Sequence, residues 1–175
     1  GSFKIGEEVI EITDLPGSYS LMANSEEEII TRDYIKNGNA DLVLILADSS
    51  QLSRSLYMLA DYSHLEVPAI LILNMMDVSK KQGKEIDTVE LSKRLGILVI
   101  PFVAAERKMY PELKENIMKE LKAPHEIACE KPIKGEEYQW IEKLLEGIVT
   151  APKKKFQLSK FDRVATGKVS GKFLA

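Results

Sequence analysis

The stretch V-P-A-I-L-I-L-N-M-M-D-V, Val67 to Val78, decides how this chain is read. Five consecutive apolar residues, Ala69 to Leu73, leave no polar face to turn toward water, which indicates a strand covered on both sides. It stops at Asn74, so Asn74-Met75-Met76-Asp77 places an amide and a carboxylate just beyond the strand's carboxyl end. In an open α/β sheet that is where ligands bind. An Asx-rich turn would use the same residues for purely structural ends, and alone would be the simpler reading.

On either side the pattern repeats. Leu42 to Ala47, L-V-L-I-L-A, is a second run apolar on both faces and ends at Asp48; Ile97 to Val103 is a third. Helical signals lie between and around them. Ser25-Glu26-Glu27-Glu28 is a capping box opening a helix to about Asn37, with Gly38 as its stop. Leu52, Leu56 and Leu59 keep helical spacing to about Leu65, Asp87-Thr88-Val89-Glu90 opens a helix that stops at Gly96, and Pro111 begins one carrying Leu113, Ile117 and Leu121. Phe3 to Ile5 and Glu8 to Thr13 form a hairpin around Gly6-Glu7. The expected fold is α/β, with a mainly parallel sheet flanked by helices. A short C-terminal helical appendage follows: a loop with Pro124 and Pro132, then an amphipathic helix from Glu136 to Val149 with Tyr138, Ile141, Leu145 and Ile148 on its face. The expected division is a nucleotide-binding-like domain over 1–122, linker and helix over 123–151, and a basic tail over 152–175.

Composition narrows the function classes. The chain has 175 residues, 45% hydrophobic, enough for one domain with a real core. Its net charge of -3 does not mark a nucleic-acid binder. Charge is segregated, however: Pro152 to Ala175 holds seven cations against Asp162, a local +6 that leaves -9 on the rest. Such an end is either a solvated tail or a surface for phosphates or an anionic membrane leaflet. The single Cys129 forms no internal disulfide, and neither His64 nor His125 is placed by sequence to activate it as a nucleophile. No metal-ligand spacing is present. No apolar run reaches the eighteen or so residues that span a bilayer, so these residues are expected to be soluble.

Three strand ends carry polar or small residues in the order a guanine-nucleotide site needs. After the second strand comes Asp14-Leu15-Pro16-Gly17, where the carboxylate can hold magnesium through water and the glycine lets a backbone N–H approach a terminal phosphate. Asp77 can accept hydrogen bonds from guanine N1–H and the 2-amino group, while Asn74 braces the loop. Phe102-Val103-Ala104-Ala105-Glu106 offers small residues whose backbone N–H groups can approach the base oxygen. Each motif alone is weak, and their order along the chain is what gives them weight.

T-D-L-P-G-S-Y-S-L (Thr13 to Leu21), N-S-E-E-E and R-D-Y-I in the helix that follows, N-A-D-L-V-L-I-L-A-D-S-S, V-P-A-I-L-I-L-N-M-M-D-V and S-K-R-L-G-I-L-V-I-P resemble the ferrous iron transport protein B family. In that family a cytosolic GTP-binding domain precedes a transmembrane iron permease. The tail S-K-F-D-R-V-A-T-G-K-V-S-G-K-F-L-A is similar to the segment entering its first membrane helix. The resemblance implies a P-loop-GTPase-like fold, GTP or GDP with magnesium as cofactors, the permease as partner, and a place on the cytoplasmic side of the membrane. It implies Asp14 as the magnesium-linked carboxylate, Gly17 as the γ-phosphate sensor, Leu15 to Tyr34 as a mobile switch, Asn74 and Asp77 as guanine readers, and Ala104 and Ala105 as the last base loop. Met75 replaces the usual Lys, keeping an aliphatic stem without its charge. Ala104 stands where many relatives of Ras have Ser. Ser18 stands where Ras-like proteins place a catalytic Gln, which implies slow hydrolysis at most.

The sequence contains no G-x-x-x-x-G-K-[ST]. Without that loop phosphates lose a ring of N–H donors and a Lys, so weak or no nucleotide binding is expected. The first strand of the family sheet is also absent from these residues; its place lies between the Glu8 to Thr13 strand and the Leu42 to Ala47 strand. Direct pairing of those two strands, a strand shared with another copy, or low stability would each follow. Two other functional readings remain open on the residues alone: a non-catalytic interaction module on a GTPase scaffold, and a ribosome-associated GTPase fragment.

Overall fold

Alternating strands and helices build the computed structural model, which describes residues 1–16 and 25–150. The chain opens with a hairpin of β1 (Ser2–Ile5) and β2 (Glu8–Glu11), antiparallel with Phe3 opposite Ile10 and turning at Gly6. The second strand ends two residues before the expected Thr13. Helix α1 (Glu26–Lys36) starts as its sequence requires: Ser25 Oγ accepts the Glu28 N–H at 3.3 Å, and the Glu28 carboxylate accepts the Ser25 N–H. Three Glu in the first turn face the positive helix end.

The central sheet has the order β3-β4-β6, all parallel, from β3 (Val43–Asp48), β4 (Ala69–Asn74) and β6 (Leu98–Pro101). Alternation along the strands divides their side chains between two layers. Ile45, Ala47, Ala69, Leu71, Leu73 and Val99 enter the larger cluster. There they meet Ile35 of α1, Leu52 of α2 (Leu52–Ser55), Leu59 of α3 (Tyr57–Tyr62), Leu91 and Leu95 of α5 (Thr88–Leu95), and Ile141 and Leu144 of α7 (Glu137–Leu145). Ile70, Ile72 and Ile100 turn the other way, toward Ile117 of α6 (Tyr110–Lys122). Each fully buried aliphatic side chain contributes roughly 1.5–3 kcal/mol, so the many-helix face supplies most of the stabilisation.

This asymmetry corrects the expectation that all three strands are covered on both faces. On the α6 side Leu46 is 62% exposed. The reason is that a single helix cannot cover the full width of the sheet. Among the described residues nothing pairs with the outer edge of β3, and β2 does not close on it. The hairpin instead lies beside α6, where Lys114 sits 5.0 Å from the Phe3 ring centre and Lys122 lies 3.8 Å from Glu8.

Other departures have local causes. The helix expected from Leu52 to Leu65 is broken into a 3₁₀ turn (Ser49–Gln51), α2 and α3. Asp48 accepts the Ser50 N–H at 2.8 Å, and Ser55 Oγ bonds both backbone groups of Asp48, so side chains hold the chain in a tighter turn. A short helix α4 (Met76–Lys81) follows β4, and β5 (Glu85–Ile86) pairs antiparallel with β7 (Val149–Thr150). The last helix therefore stops at Leu145, short of the expected Val149. Arg94 takes the Leu144 and Glu146 carbonyls at 3.0 and 2.8 Å, and Gly147 turns the chain at φ 73°. Tyr138, expected on the buried face, is 52% exposed, and Leu144 is buried instead.

The loop between α6 and α7 runs along the amino ends of the strands, where His125 O accepts the Ala69 N–H and the Glu120 carboxylate holds His125 through its backbone N–H and Nδ1. Half burial pushes the Cys129 thiol up, away from the thiolate. Among the described residues no helix is long and apolar enough to cross a membrane.

This loop approaches α5 at Gly96, whose φ is 78° and where an added Cβ would lie 2.6 Å from Ala128 Cβ. Gly96→Ala is expected to lower unfolding stability by about 2 kcal/mol and the melting temperature by several degrees. Calorimetric melting checks it, and an unchanged midpoint would contradict this packing.

Candidate functional site

The strands deliver their polar residues to one rim. In the β3–β4 register Asp48 pairs with Asn74, and in the β4–β6 register Leu73 pairs with Pro101, so the segments after all three strands leave the sheet together. Backbone bonds continue the alignment: Phe102 N–H donates to Leu73 O at 2.8 Å, and Met76 N–H to Phe102 O at 3.3 Å.

Two of the three expected loops meet there. Asn74 Oδ1 accepts the Ala104 N–H at 3.1 Å, tying the end of β4 to the small-residue loop after β6. Tyr110, at the start of α6, holds the same loop from the other side by donating to Ala104 O at 2.9 Å. Its ring stands edge-on to Phe102, with centres 5.3 Å apart. Asp77 lies in the first turn of α4, beside Lys81 at 3.3 Å, with its side chain 41% exposed. Met75 takes a left-handed conformation, φ 60° and ψ 31°, and remains exposed. That backbone is uncommon for a residue with a side chain, and it recurs at functional turns. It allows β4 to pass into α4 with Asn74 and Asp77 on the same short turn.

Helix α4 is anchored from below by contacts that sequence reasoning missed. Ser79 Oγ donates to Ser49 Oγ at 2.9 Å in a buried bond, and Lys84 Nζ donates to Ser50 O at 2.5 Å. The partners stand 30 and 34 residues apart, so no local spacing announces them. Tyr110 was equally silent, although an aromatic residue at a helix entrance six places after Ala104 was a usable clue.

Asp14 follows the hairpin rather than the parallel sheet. It is exposed on the stretch after β2, and no hydrogen bond or ion pair links it to Asn74, Asp77 or Ala104 among the described residues. Its neighbours are fixed to α1: Tyr34 OH donates to Thr13 Oγ1 at 3.1 Å and Thr31 Oγ1 to Pro16 O at 3.2 Å. Gly17 and Ser18 lie outside the described residues, as does the basic tail. No group of three or more His, Cys, Asp or Glu side chains is arranged to hold a metal ion among the described residues.

The model of the family described as ferrous iron transport protein B matches residues 1–117. The Fe(2+) transporter FeoB of Legionella pneumophila (strain Lens) is 35% identical over 153 residues, covering 82% of this chain and 20% of the relative. The transporter of that name from Salmonella typhimurium is 38% identical over 118 residues, 65% of this chain and 15% of the relative. The chain thus spans about a fifth of the length of the curated relatives it matches. Among solved structures, the FeoB G-domain of Methanococcus jannaschii shares 43% identity at a TM-score of 0.67, covering 70% of this chain and 78% of that one. The cytosolic domain of L. pneumophila FeoB shares 26% identity at a TM-score of 0.76, covering 86% of this chain and 83% of that one. The cytosolic domain of T. maritima FeoB in its GMPPNP form has the same fold, at a TM-score of 0.76.

Replacing Asn74 with Ala removes the acceptor that joins the two loops. We expect a stability loss of about 1 kcal/mol and faster hydrogen exchange at the Ala104 amide, read by NMR. Equal protection in both proteins would show that the loop is held by other means.

Proposed function

Because the chain belongs to the ferrous iron transport protein B family, we propose that it forms guanine-nucleotide-binding machinery of a ferrous iron transporter, on the cytoplasmic side of the membrane. The observation that carries the reading is the Asn74 to Ala104 bond, which gathers the two loops named for base recognition. Asp77 then accepts the N1–H and 2-amino group of guanine, its carboxylate exchanging Lys81 for the base. The stem of Met75 covers one face of the purine, and the Ala104-Ala105 backbone meets the base oxygen, where the absence of larger side chains leaves room.

At the phosphate end Asp14 would hold magnesium through water. When bound, magnesium neutralises charge on the phosphates. By motif Gly17 would sense the terminal phosphate, and Ser18, standing in sequence where Ras-like proteins have a catalytic Gln, implies hydrolysis that is slow or absent. Switching of this region regulates iron passage through the permease of the transporter. Nucleotide binding by these residues alone is weak, since no P-loop Lys or glycine cradle contributes.

Titration with fluorescent GDP is expected to saturate with a dissociation constant between about 10 μM and 1 mM; no signal at millimolar concentration overturns the reading. Asp77→Asn should lose about tenfold in guanine affinity and gain xanthine binding, because an amide can donate to the additional carbonyl. An unchanged guanine preference would remove Asp77 from base recognition.

We also propose that the open edge of β3 lets two copies share strands. Sedimentation velocity should show a concentration-dependent dimer that Leu46→Lys abolishes, with the monomer's melting temperature unaltered because Leu46 is exposed. A monomer at every concentration rules this out.

A further inference from the structure

The loop after β6 is a tight turn whose middle peptide is held by a side chain from α6. Glu106 N–H donates to Val103 O at 2.8 Å, which closes the turn with Ala104 and Ala105 at its centre. Neither alanine has a positive φ, so the turn is not of type II, in which the middle peptide is rotated by roughly half a turn and the second central residue takes a φ of about +80°. The Cβ of Ala105 disfavours that reversal.

Tyr110 sets the tilt that remains. Its hydroxyl donates to Ala104 O at 2.9 Å, and its ring is steadied edge-on against the buried Phe102, with centres 5.3 Å apart. The 3₁₀ turn over Arg107–Met109 brings the tyrosine back to the loop. Ala104 O and the Ala105 N–H belong to one planar trans peptide, in which they point in opposite directions. Fixing the carbonyl on Tyr110 therefore aims the Ala105 N–H away from the hydroxyl.

The neighbouring donors of the turn are already spent. Ala104 N–H donates to Asn74 Oδ1 at 3.1 Å, and Glu106 N–H to Val103 O. The Ala105 N–H has no acceptor among the described residues, and both alanines are exposed. It is the donor this turn offers to a ligand.

We infer that Tyr110 is a positioning residue that sets base specificity: by holding Ala104 O, it presents the Ala105 N–H to the 6-oxygen of an oxopurine. The inference rests on the base reading above and adds to it a residue outside both base loops. An N–H at this point requires an acceptor on the base, which guanine and hypoxanthine supply; adenine carries an amino donor there. A reversed peptide would present a carbonyl and favour the amino group instead. Tyr110 acts through this peptide, not by touching the base.

Tyr110→Phe keeps a ring against Phe102 and removes only the hydroxyl. Wild type and variant, both checked for folding by circular dichroism, are titrated with GDP, inosine diphosphate and the diphosphate of 2-aminopurine riboside, which has hydrogen in place of the 6-oxygen. The Ala105 amide is followed by NMR. In wild type its proton should move downfield with the two oxopurines and not with the 2-aminopurine compound. Tyr110→Phe is expected to bind GDP and inosine diphosphate about fivefold more weakly, with a smaller amide shift and unchanged affinity for the 2-aminopurine compound. A variant that binds GDP as tightly as wild type, or that loses equal affinity for the 2-aminopurine compound, overturns the role of Tyr110 and leaves the base reading standing. So does a wild-type Ala105 amide that stays in place while the Asp77 amide responds to GDP. No binding of GDP to wild type removes the base reading and this inference together.

Discussion

Strand β4 carries one constraint on which the remaining architecture rests: a backbone with no polar face must have its hydrogen bonds and both sides of its side chains satisfied by protein. Ala69 to Leu73 are all buried, which is achieved by parallel partners on both edges and helices on both faces. Once β4 is central, the chain must leave it at one rim with Asn74. The amide then meets the Ala104 N–H because β6 runs in the same direction and ends at the same level. The candidate site is a consequence of that parallel alignment.

The two faces of the sheet differ in strength. One is packed by α1, α2, α3, α5 and α7, while among the described helices α6 covers the other and also carries the hairpin through Lys114 and Lys122. Helix α6 thus does two jobs: its apolar side holds Ile70 and Ile72, and its cationic positions reach the hairpin. Among the described residues the hairpin and the three-stranded sheet are connected through this helix rather than through strand pairing, which leaves Leu46 exposed and the outer β3 edge unpaired. Edges of this kind invite further pairing.

Polar groups around the rim fall into two kinds. Asp48, Ser49, Ser79 and Lys84 are occupied with one another or with backbone, and they brace α4. Met75, Arg107 and Ala105 are exposed and Asp77 is half-buried, and only Asp77 among these has an ionic partner among the described residues, a solvent-facing Lys81 that a ligand can displace at little cost. Rigid support behind exposed donors and acceptors is the arrangement a recognition site requires.

The strands, the Ser25 capping box and the order of the three strand-end motifs were legible because they depend on residues near one another in sequence: apolar runs, side-chain caps and turn residues. The family resemblance rested on the same local strings. Helix α4 and the β5–β7 pair were not legible, since α4 depends on the left-handed Met75 and on Ser49, and β5 and β7 stabilise each other across more than sixty residues of intervening chain. The sequence by itself determined which segments form the hairpin and the central parallel sheet and which residues stand at the ends of those strands. Tertiary structure alone decided that Asn74 and Ala104 touch, that Leu46 is exposed, and that Lys114 reaches the Phe3 ring of the hairpin, because sheet order and helix placement set distances that local pattern does not contain.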